Sequence, residues 1–506
     1  MKKTLSNILM TVILMWGMTA CTNLDETLYS EIPESIYPEN EQQASLILLP
    51  AYDKLQGWTD WAGWWFAQEV TSDEVVCPTR HTDWDDGGKW RELHLHTWNN
   101  ETEALKQMWP NYFEAITACN KIADMFDPAS DNPTVQLTIA KLKIIRAYYY
   151  YCAIDNYGDV PYLTSFADAP QQPYKTRRAT VFNNIVQEIE ASIPYLPSGQ
   201  GSKNAVNRGM AFSLLAKLYL NAAVYTGTPQ WAKAEAACDS VIALNYSLEG
   251  DVISPFKTTN ESSPENIFTI AYDENLKKDF NLHMRTLHYN HNEKYNMTVS
   301  PWNGFAVIGE HYDRYDEADR RKAGYFLAGP QTKADGTPLI DGETGQVVNL
   351  TKEIPALYMN SVNQTLQQIR CSGIRACKFE VKVGAGQDLS NDFPIFRYAD
   401  ILLMKAEAMV RQSKNGDSYI NEVRGRAGIT PLTNVTLEQI LDERAREMFW
   451  EGHRRQDLIR FGKFAGVNNN RWSDQGSVVP AANELIFTIP REQTDKNPNL
   501  LLDPID

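Results

Sequence analysis

NRGMAFSLLAKLYLNAAVY, residues 207–225, places Ala211, Leu214, Leu215, Leu218 and Ala222 at spacings of three and four. That recurrence lines them along one face of an α-helix, the stripe a helix buries against a neighbour. Gly227-Thr228-Pro229 breaks the run, after which Ala234, Ala237, Cys238, Val241 and Leu244 repeat the pattern. A turn this short between two such stripes predicts an antiparallel helix pair. The layout returns near the C-terminus. There Ala399, Leu402, Leu403, Ala406 and Val410 form one stripe, Asn415-Gly416 interrupts it, and residues 419–426 begin the next. The same spacing predicts helices over 41–56, 101–126, 134–156 and 437–450.

The chain is therefore expected to be mostly α, with tetratricopeptide-like helix pairs forming a scaffold, long irregular loops and a few short strands, although no fixed repeat length is present. Two loop-rich insertions stand out, about 60–100 and 250–395. The second is rich in Gly, Pro, Asn and Asp and holds Ile267-Phe268-Thr269-Ile270, a short strand candidate. Long irregular segments on a rigid scaffold are where binding residues concentrate, and the two regions are expected to meet on one face.

With 506 residues, 43% of them hydrophobic, the chain can bury a sizeable core. Its formal charge of −16 repels phosphate backbones, which argues against nucleic acid as a partner. Lys2, Lys3 and the apolar run Ile8 to Trp16 read as an export signal over residues 1–20, followed by a single domain over 21–506. Met18-Thr19-Ala20-Cys21 resembles the lipobox of bacterial lipoproteins, which implies lipidation of Cys21 and attachment to a membrane without a spanning helix. Cys119, Cys152 and Cys238 fall on apolar stripes, whereas Cys371 and Cys377 flank a five-residue loop and could pair in an oxidising exterior.

Four longer motifs follow in order: SDE (72–74), IRAYYYYCAIDNYGDVPY (145–162), FRYADILLMKAEA (396–408) and ERAREMFWEGHRRQDLIRFGKF (443–464). Together with the lipobox they resemble the landmarks of the SusD/RagB family of outer-membrane glycan-binding lipoproteins, over nearly the whole mature chain. The resemblance implies a helical protein with four tetratricopeptide-like helix pairs that captures oligosaccharide and does not cleave it. It also implies a position at the outer membrane, facing the exterior, as a lid on a SusC-like TonB-dependent transporter, with the helix pairs toward the transporter and the loops toward the ligand. The motifs have a structural reading of their own. Glu443 with Arg446 and Glu451 with Arg454 stand three apart and could pair on a helix surface, while Arg397 and Glu407 look like matched, fold-fixing charges.

The ligand is sought elsewhere, in TRHTDWDDGGKWRELHLHTW (79–98). Trp84 and Trp90 flank Asp85-Asp86-Gly87-Gly88, a turn able to present two indoles, with Asp73, Arg80 and Asp83 nearby. A sugar ring has apolar C–H faces and a rim of hydroxyls, so its receptor needs flat aromatics with carboxylates or guanidinium groups. Trp302, in SPWNGF of the second loop region, is a further stacking candidate. Arg375 could bond vicinal hydroxyls or lie solvated on the surface, and Tyr398 could face ligand or pack. The cluster GWTDWAGWWF (57–66) carries Trp58, Trp61, Trp64 and Trp65; helical spacing would turn all four to one side as core, and sugar stacking is the alternative.

Other chemistries find little support. The stretch from Asp83 starts like a calcium loop, but Gly87 and His94 occupy ligand positions. His94 and His96 lack a third ligand at useful spacing, and there is no C-x-x-C, HExxH, phosphate-cradling glycine loop or nucleophile elbow. No metal or cofactor is expected. A helical glycoside hydrolase and a peptide-binding scaffold are the competing functions; the first requires an acid and a base or nucleophile that no motif singles out.

Overall fold

The computed structural model describes residues 38, 40–61, 63–465 and 485–506. The export signal and Cys21 lie outside them. The main helices are α1 (Glu41–Asp53), α2 (Trp64–Val70), α3 (Lys89–His94), α4 (Glu103–Ala123), α5 (Pro133–Tyr157), α6 (Arg178–Ser192), α7 (Arg208–Leu220) and α8 (Trp231–Ile242). Late in the chain come α9 (Tyr398–Arg411), α10 (Asp417–Ala427), α11 (Leu437–Glu447) and α12 (Arg454–Arg460). Helices adjacent in sequence pack as pairs: α4 on α5, α5 on α6, α7 on α8 and α9 on α10. Packing of α8 on α9 joins the early pairs to the late ones. Among the described residues no helix is long and apolar enough to cross a membrane.

Local chemistry explains these elements. The Asn207 carboxamide oxygen accepts the Met210 N–H at 2.8 Å and so caps the start of α7. Thr436 and Gln439 form a reciprocal capping box at the start of α11. Helix α5 is buried around most of its circumference from Ile144 to Tyr157, which is why its IRAYYYYC motif looks apolar on every side. Its buried phenols find acceptors, Tyr149 on the Ala51 carbonyl and Tyr150 on the Leu163 carbonyl, each at 2.8 Å. Left unpaired, each would cost about 1–3 kcal/mol.

Short ladders stitch the irregular regions together. Strand β1 (Val75–Val76) pairs antiparallel with β4 (Ala306–Val307), and β2 (Thr79–Arg80) pairs parallel with β5 (Tyr358–Met359). Strand β3 (Asn266–Ile270), at the predicted place, pairs antiparallel with β6 (Phe393–Arg397). The first two ladders bring the early loop region against the late one, as expected.

Several expectations are corrected. The cluster at 57–66 is not one helix: a 3-10 turn ends at Trp58, a bend follows, and α2 begins at Trp64. Trp58 and Trp65 are sealed in the core, whereas Trp61 and Trp64 stay half-buried. Helix α6 is not among the predicted segments, although Val181, Phe182, Ile185, Val186 and Ile189 carry the required spacing. Cys371 and Cys377 are both free: the Cys371 sulfur faces His288 at 3.9 Å, and the Cys377 thiol faces the Gly324 carbonyl.

The C-terminal charges are also placed differently. Glu443 and Arg446 pair at 2.8 Å, but Glu443 is buried and also binds Arg321 and Arg424. Burial pushes its carboxyl up, and the surrounding guanidinium groups outweigh burial to hold it down to about 2. Glu451 and Arg454 do not pair, because Glu451 lies between α11 and α12 and serves Arg397 and Lys378, while Arg454 binds Asp73 at 2.6 Å. Arg397, fully buried, contacts Glu265, Glu447 and Glu451. Glu407 is matched by Arg411 and Arg460.

Candidate functional site

The segment 81–88 is shaped by left-handed backbone. Trp84 has φ +59°, Asp86 +41°, Gly87 +69° and Gly88 +88°. Two glycines meet that demand at no steric cost, but a tryptophan there is strained by about 1–3 kcal/mol and needs support from its surroundings. The support is visible. The indole N–H of Trp84 donates to the Trp302 carbonyl at 2.7 Å, and the Thr79 hydroxyl donates to the Trp84 carbonyl. The ring lies flat on Gly304, where a Cβ would sit 2.2 Å from an indole carbon. Position 304 must therefore lack a side chain for Trp84 to occupy its place.

These constraints bring Trp61, Trp84 and Trp302 to one shallow, open hollow, in which Trp61 and Trp302 are half-buried and Trp84 is only 8% exposed. Tyr289, Asp83, Asp86 and Pro301 complete its lining. Trp61 and Trp84 have centroids 5.5 Å apart and planes tilted by 35°. Beneath them lies a sealed aromatic layer: Trp90 stands edge-on to Trp61 at 5.2 Å, and Phe305 edge-on to Trp84 at 5.3 Å. The Lys89 ammonium sits 4.7 Å from the Trp61 centroid and is paired with Glu103 at 3.1 Å. The Tyr289 hydroxyl donates to Asp83, and the Arg370 guanidinium covers the tyrosine ring at 4.5 Å. Desolvation and the Asp83 charge both push the Tyr289 phenol well up, so it stays a neutral donor.

Of the predicted site residues, Asp83, Trp84 and Trp302 share this hollow, and the others do not reach it. Trp90 is 0% exposed, with its N–H on Asp86 at 2.8 Å, so it supports the platform from below. Arg80 is buried and donates to the carbonyls of Ile369 and Ser372 at 2.7 and 2.9 Å. Arg375 is buried too, gripping the Asn303 side chain at 2.7 Å and the Ser372 carbonyl at 2.8 Å. It therefore fixes the residue after Trp302 and does not face solvent. Asp73 is sealed by Arg454 and Arg314. Tyr398 packs at the start of α9, its amide N–H on the Glu265 carbonyl. Sequence reasoning favoured core for Trp61 and passed over Tyr289. The first had a signal, since Gly57 and Gly63 bracket it and break the helical spacing; the second sits in HYNHNEKYN with none.

Among the described residues, His288, Asp341 and Cys371 come close enough to hold a metal ion. Hydrogen bonding opposes it. The Asn290 N–H donates to His288 Nδ1 at 3.2 Å, which places the ring proton on Nε2, 3.3 Å from Asp341. Coordination through Nε2 would need that proton on Nδ1, against the amide. Burial lowers His288 to about 4, so the ring is neutral. The cluster instead anchors Arg370, whose Nε lies 2.6 Å from Asp341, over Tyr289. His94 and His96 are likewise packed, His96 on the Thr71 carbonyl.

Comparison with known proteins agrees with the architecture. Residues 371–505 match the SusD family model, and residues 54–220 match a model described as starch-binding associating with outer membrane. The starch-binding protein SusD of Bacteroides thetaiotaomicron is 25% identical over 449 residues, covering 81% of this chain and 78% of that protein. A laminarin-binding SusD-like protein superposes with a TM-score of 0.72 at 22% identity, covering 91% of this chain and 98% of that one. Surface glycan-binding protein A from Bacteroides thetaiotaomicron, solved with laminarihexaose, gives 0.70 at 19% identity, covering 90% and 97%. The two matched models, one early and one late in the sequence, identify the chain as SusD-like, and the solved structures share its helical fold.

Proposed function

We propose that this protein is a cell-surface receptor that holds an oligosaccharide in the Trp61–Trp84–Trp302 hollow and delivers it to a SusC-like TonB-dependent transporter. A lipid on Cys21 keeps it at the outer membrane, facing the exterior. The observation that carries this reading is the convergence of two half-open indoles, Trp61 and Trp302, with the edge of the largely buried Trp84, a phenol and two exposed carboxylates on one open hollow. Indole faces match the C–H faces of sugar rings, and Asp83 and Asp86 accept from hydroxyls at their rim. Keeping such rings open to water is unfavourable unless a ligand covers them. The names of the relatives, starch-binding and laminarin-binding, support the same class of ligand.

Binding without cleavage fits the geometry. A glycosidic general acid is kept protonated near neutral pH by burial, and both Asp83 and Asp86 are exposed. The test uses the full chain in mild detergent, on affinity gels containing laminarin, starch or other glucans. Retention is expected, with its loss in Trp61→Ala/Trp302→Ala, no new reducing ends, and co-purification of an outer-membrane barrel. Equal retention of the double variant would overturn the site. New reducing ends at enzymatic rates would overturn the receptor reading.

A further inference from the structure

Charge around the hollow restricts which glycans fit. Asp83 and Asp86 stand exposed at its surface, and among the described residues no basic side chain lines it. The neighbouring cations are all engaged or sealed. Lys89 is held by Glu103, Arg91 by Asp85 at 2.9 Å, and Arg370 by Asp341 and Glu343. Arg80 is sealed with both terminal nitrogens on carbonyls, and Arg375 is sealed on a carbonyl and on Asn303. Arg285 is buried behind Trp61 with its guanidinium against the faces of Trp61 and Phe66.

A sugar hydroxyl entering this surface is a donor and meets two carboxylate acceptors. A uronate or sulfate group carries acceptors alone, meets two like charges, and reaches no cation without breaking an ion pair or unpacking the floor. Like charges brought together in a partly dehydrated site are strongly unfavourable. The formal charge of −16 acts in the same sense at long range, before contact. We infer that the hollow takes uncharged oligosaccharides and rejects uronate- or sulfate-bearing ones, with Asp83 and Asp86 as the specificity-determining pair. This rests on the glycan-binding reading above and adds to it a class of ligand and the residues that select it.

The test holds the backbone constant and varies charge. The full chain in mild detergent is titrated with a neutral glucan that it retains, with the hydroxyethyl derivative of that glucan, and with its carboxymethyl derivative at equal substitution. The two derivatives add similar bulk and differ in charge. At low salt the carboxymethyl form is expected to bind at least about tenfold more weakly than the hydroxyethyl form. Asp83→Asn/Asp86→Asn keeps an acceptor oxygen for Tyr289 and for Trp90; it is expected to weaken every glucan, since two carboxylate acceptors are lost, and to close the gap between the two derivatives to within about threefold. Equal or tighter binding of the carboxymethyl form by the unaltered protein would overturn the inference and leave glycan capture intact. A gap that persists in the double variant would overturn the assignment to Asp83 and Asp86. Absence of binding to every glycan, neutral or charged, would overturn the receptor reading itself.

Discussion

The aromatic hollow and the ion cluster around Arg397 are both dense in residues that suggest chemistry, yet only one of them faces solvent. In the cluster, Arg397 and Arg321 are sealed among Glu265, Glu443, Glu447 and Glu451, each carboxylate shared between cations. In the hollow, Asp83 and Asp86 are exposed and Trp61 and Trp302 keep part of their surface open, over a Trp84 that is only 8% exposed. Family models match the stretches 54–220 and 371–505, and therefore the cluster's C-terminal half, but not the stretch holding Tyr289 and Trp302. The late family match thus marks a buried electrostatic frame, while the hollow is built partly from loops outside either matched stretch. Helix α2 joins the two: Glu69 accepts the Gly452 N–H, and Trp65 donates to the Trp450 carbonyl.

The most severe way to break this contrast is to remove a charge from the cluster. Arg397→Ala takes one cation from three buried carboxylates, leaving Glu451 with Lys378 alone, and is expected to destabilise the fold by about 3–5 kcal/mol, read by urea denaturation. A loss below about 1 kcal/mol, the range of exposed pairs, would mean that the cluster is not the frame described here.

The junction should show itself through pH. Burial raises the Glu69 carboxyl to about 8, eased by the Gly452 N–H, with Glu74 beside it. The folded state then holds a proton that the unfolded chain releases in the ordinary glutamate range. That contribution to stability is complete at acid pH and is lost as pH rises through about 8, at up to about 1.4 kcal/mol per pH unit. Burial raises the neighbouring Glu74 carboxyl as well, so the unfolding free energy should fall from pH 6 to pH 9, Glu69→Gln should lessen the fall, and Glu69→Gln/Glu74→Gln should remove most of it. An unchanged slope in the double variant would place the titrating group elsewhere.

On the hollow's side, Gly304→Ala sharpens the comparison. Its Cβ would stand 2.2 Å from the Trp84 ring, which has to move. A cost of about 1–3 kcal/mol is expected, with weaker glucan binding measured by calorimetry. Unaltered affinity would show that Trp84 does not need its position over residue 304.

Fold and site were not equally legible. Helix pairs follow from spacing alone, because burial of a stripe is a local demand repeated every turn. Site residues depend on which groups the tertiary structure seals, and spacing is blind to that. Arg80 and Arg375 looked like ligand-binding donors and are spent on carbonyls of the 369–373 turn. Trp90 and Trp61 exchanged roles: α3 carries Trp90 inward, and the bend after Trp58 leaves Trp61 open. Of the two loop indoles, Trp302 stays half-open while Trp84 is folded down onto Gly304 and is only 8% exposed, a difference that depends on the left-handed backbone at 84 and on no spacing in the sequence.

The smallest effect is expected at the residue the sequence marked least. Tyr289 donates to Asp83 from under Arg370, and neither contact belongs to the frame. Tyr289→Phe removes one hydrogen bond to an exposed carboxylate, so stability should change by less than about 1 kcal/mol. The ring and its stacking surface remain. What is lost is the orientation of Asp83, which becomes free to turn toward water. Affinity for a neutral glucan is then expected to fall about threefold, through faster dissociation, because an acceptor that must be reordered on binding costs entropy that a fixed one does not. If Tyr289→Phe destabilised the protein as much as Arg397→Ala, the hollow would belong to the frame, and the division drawn between the two regions would fail.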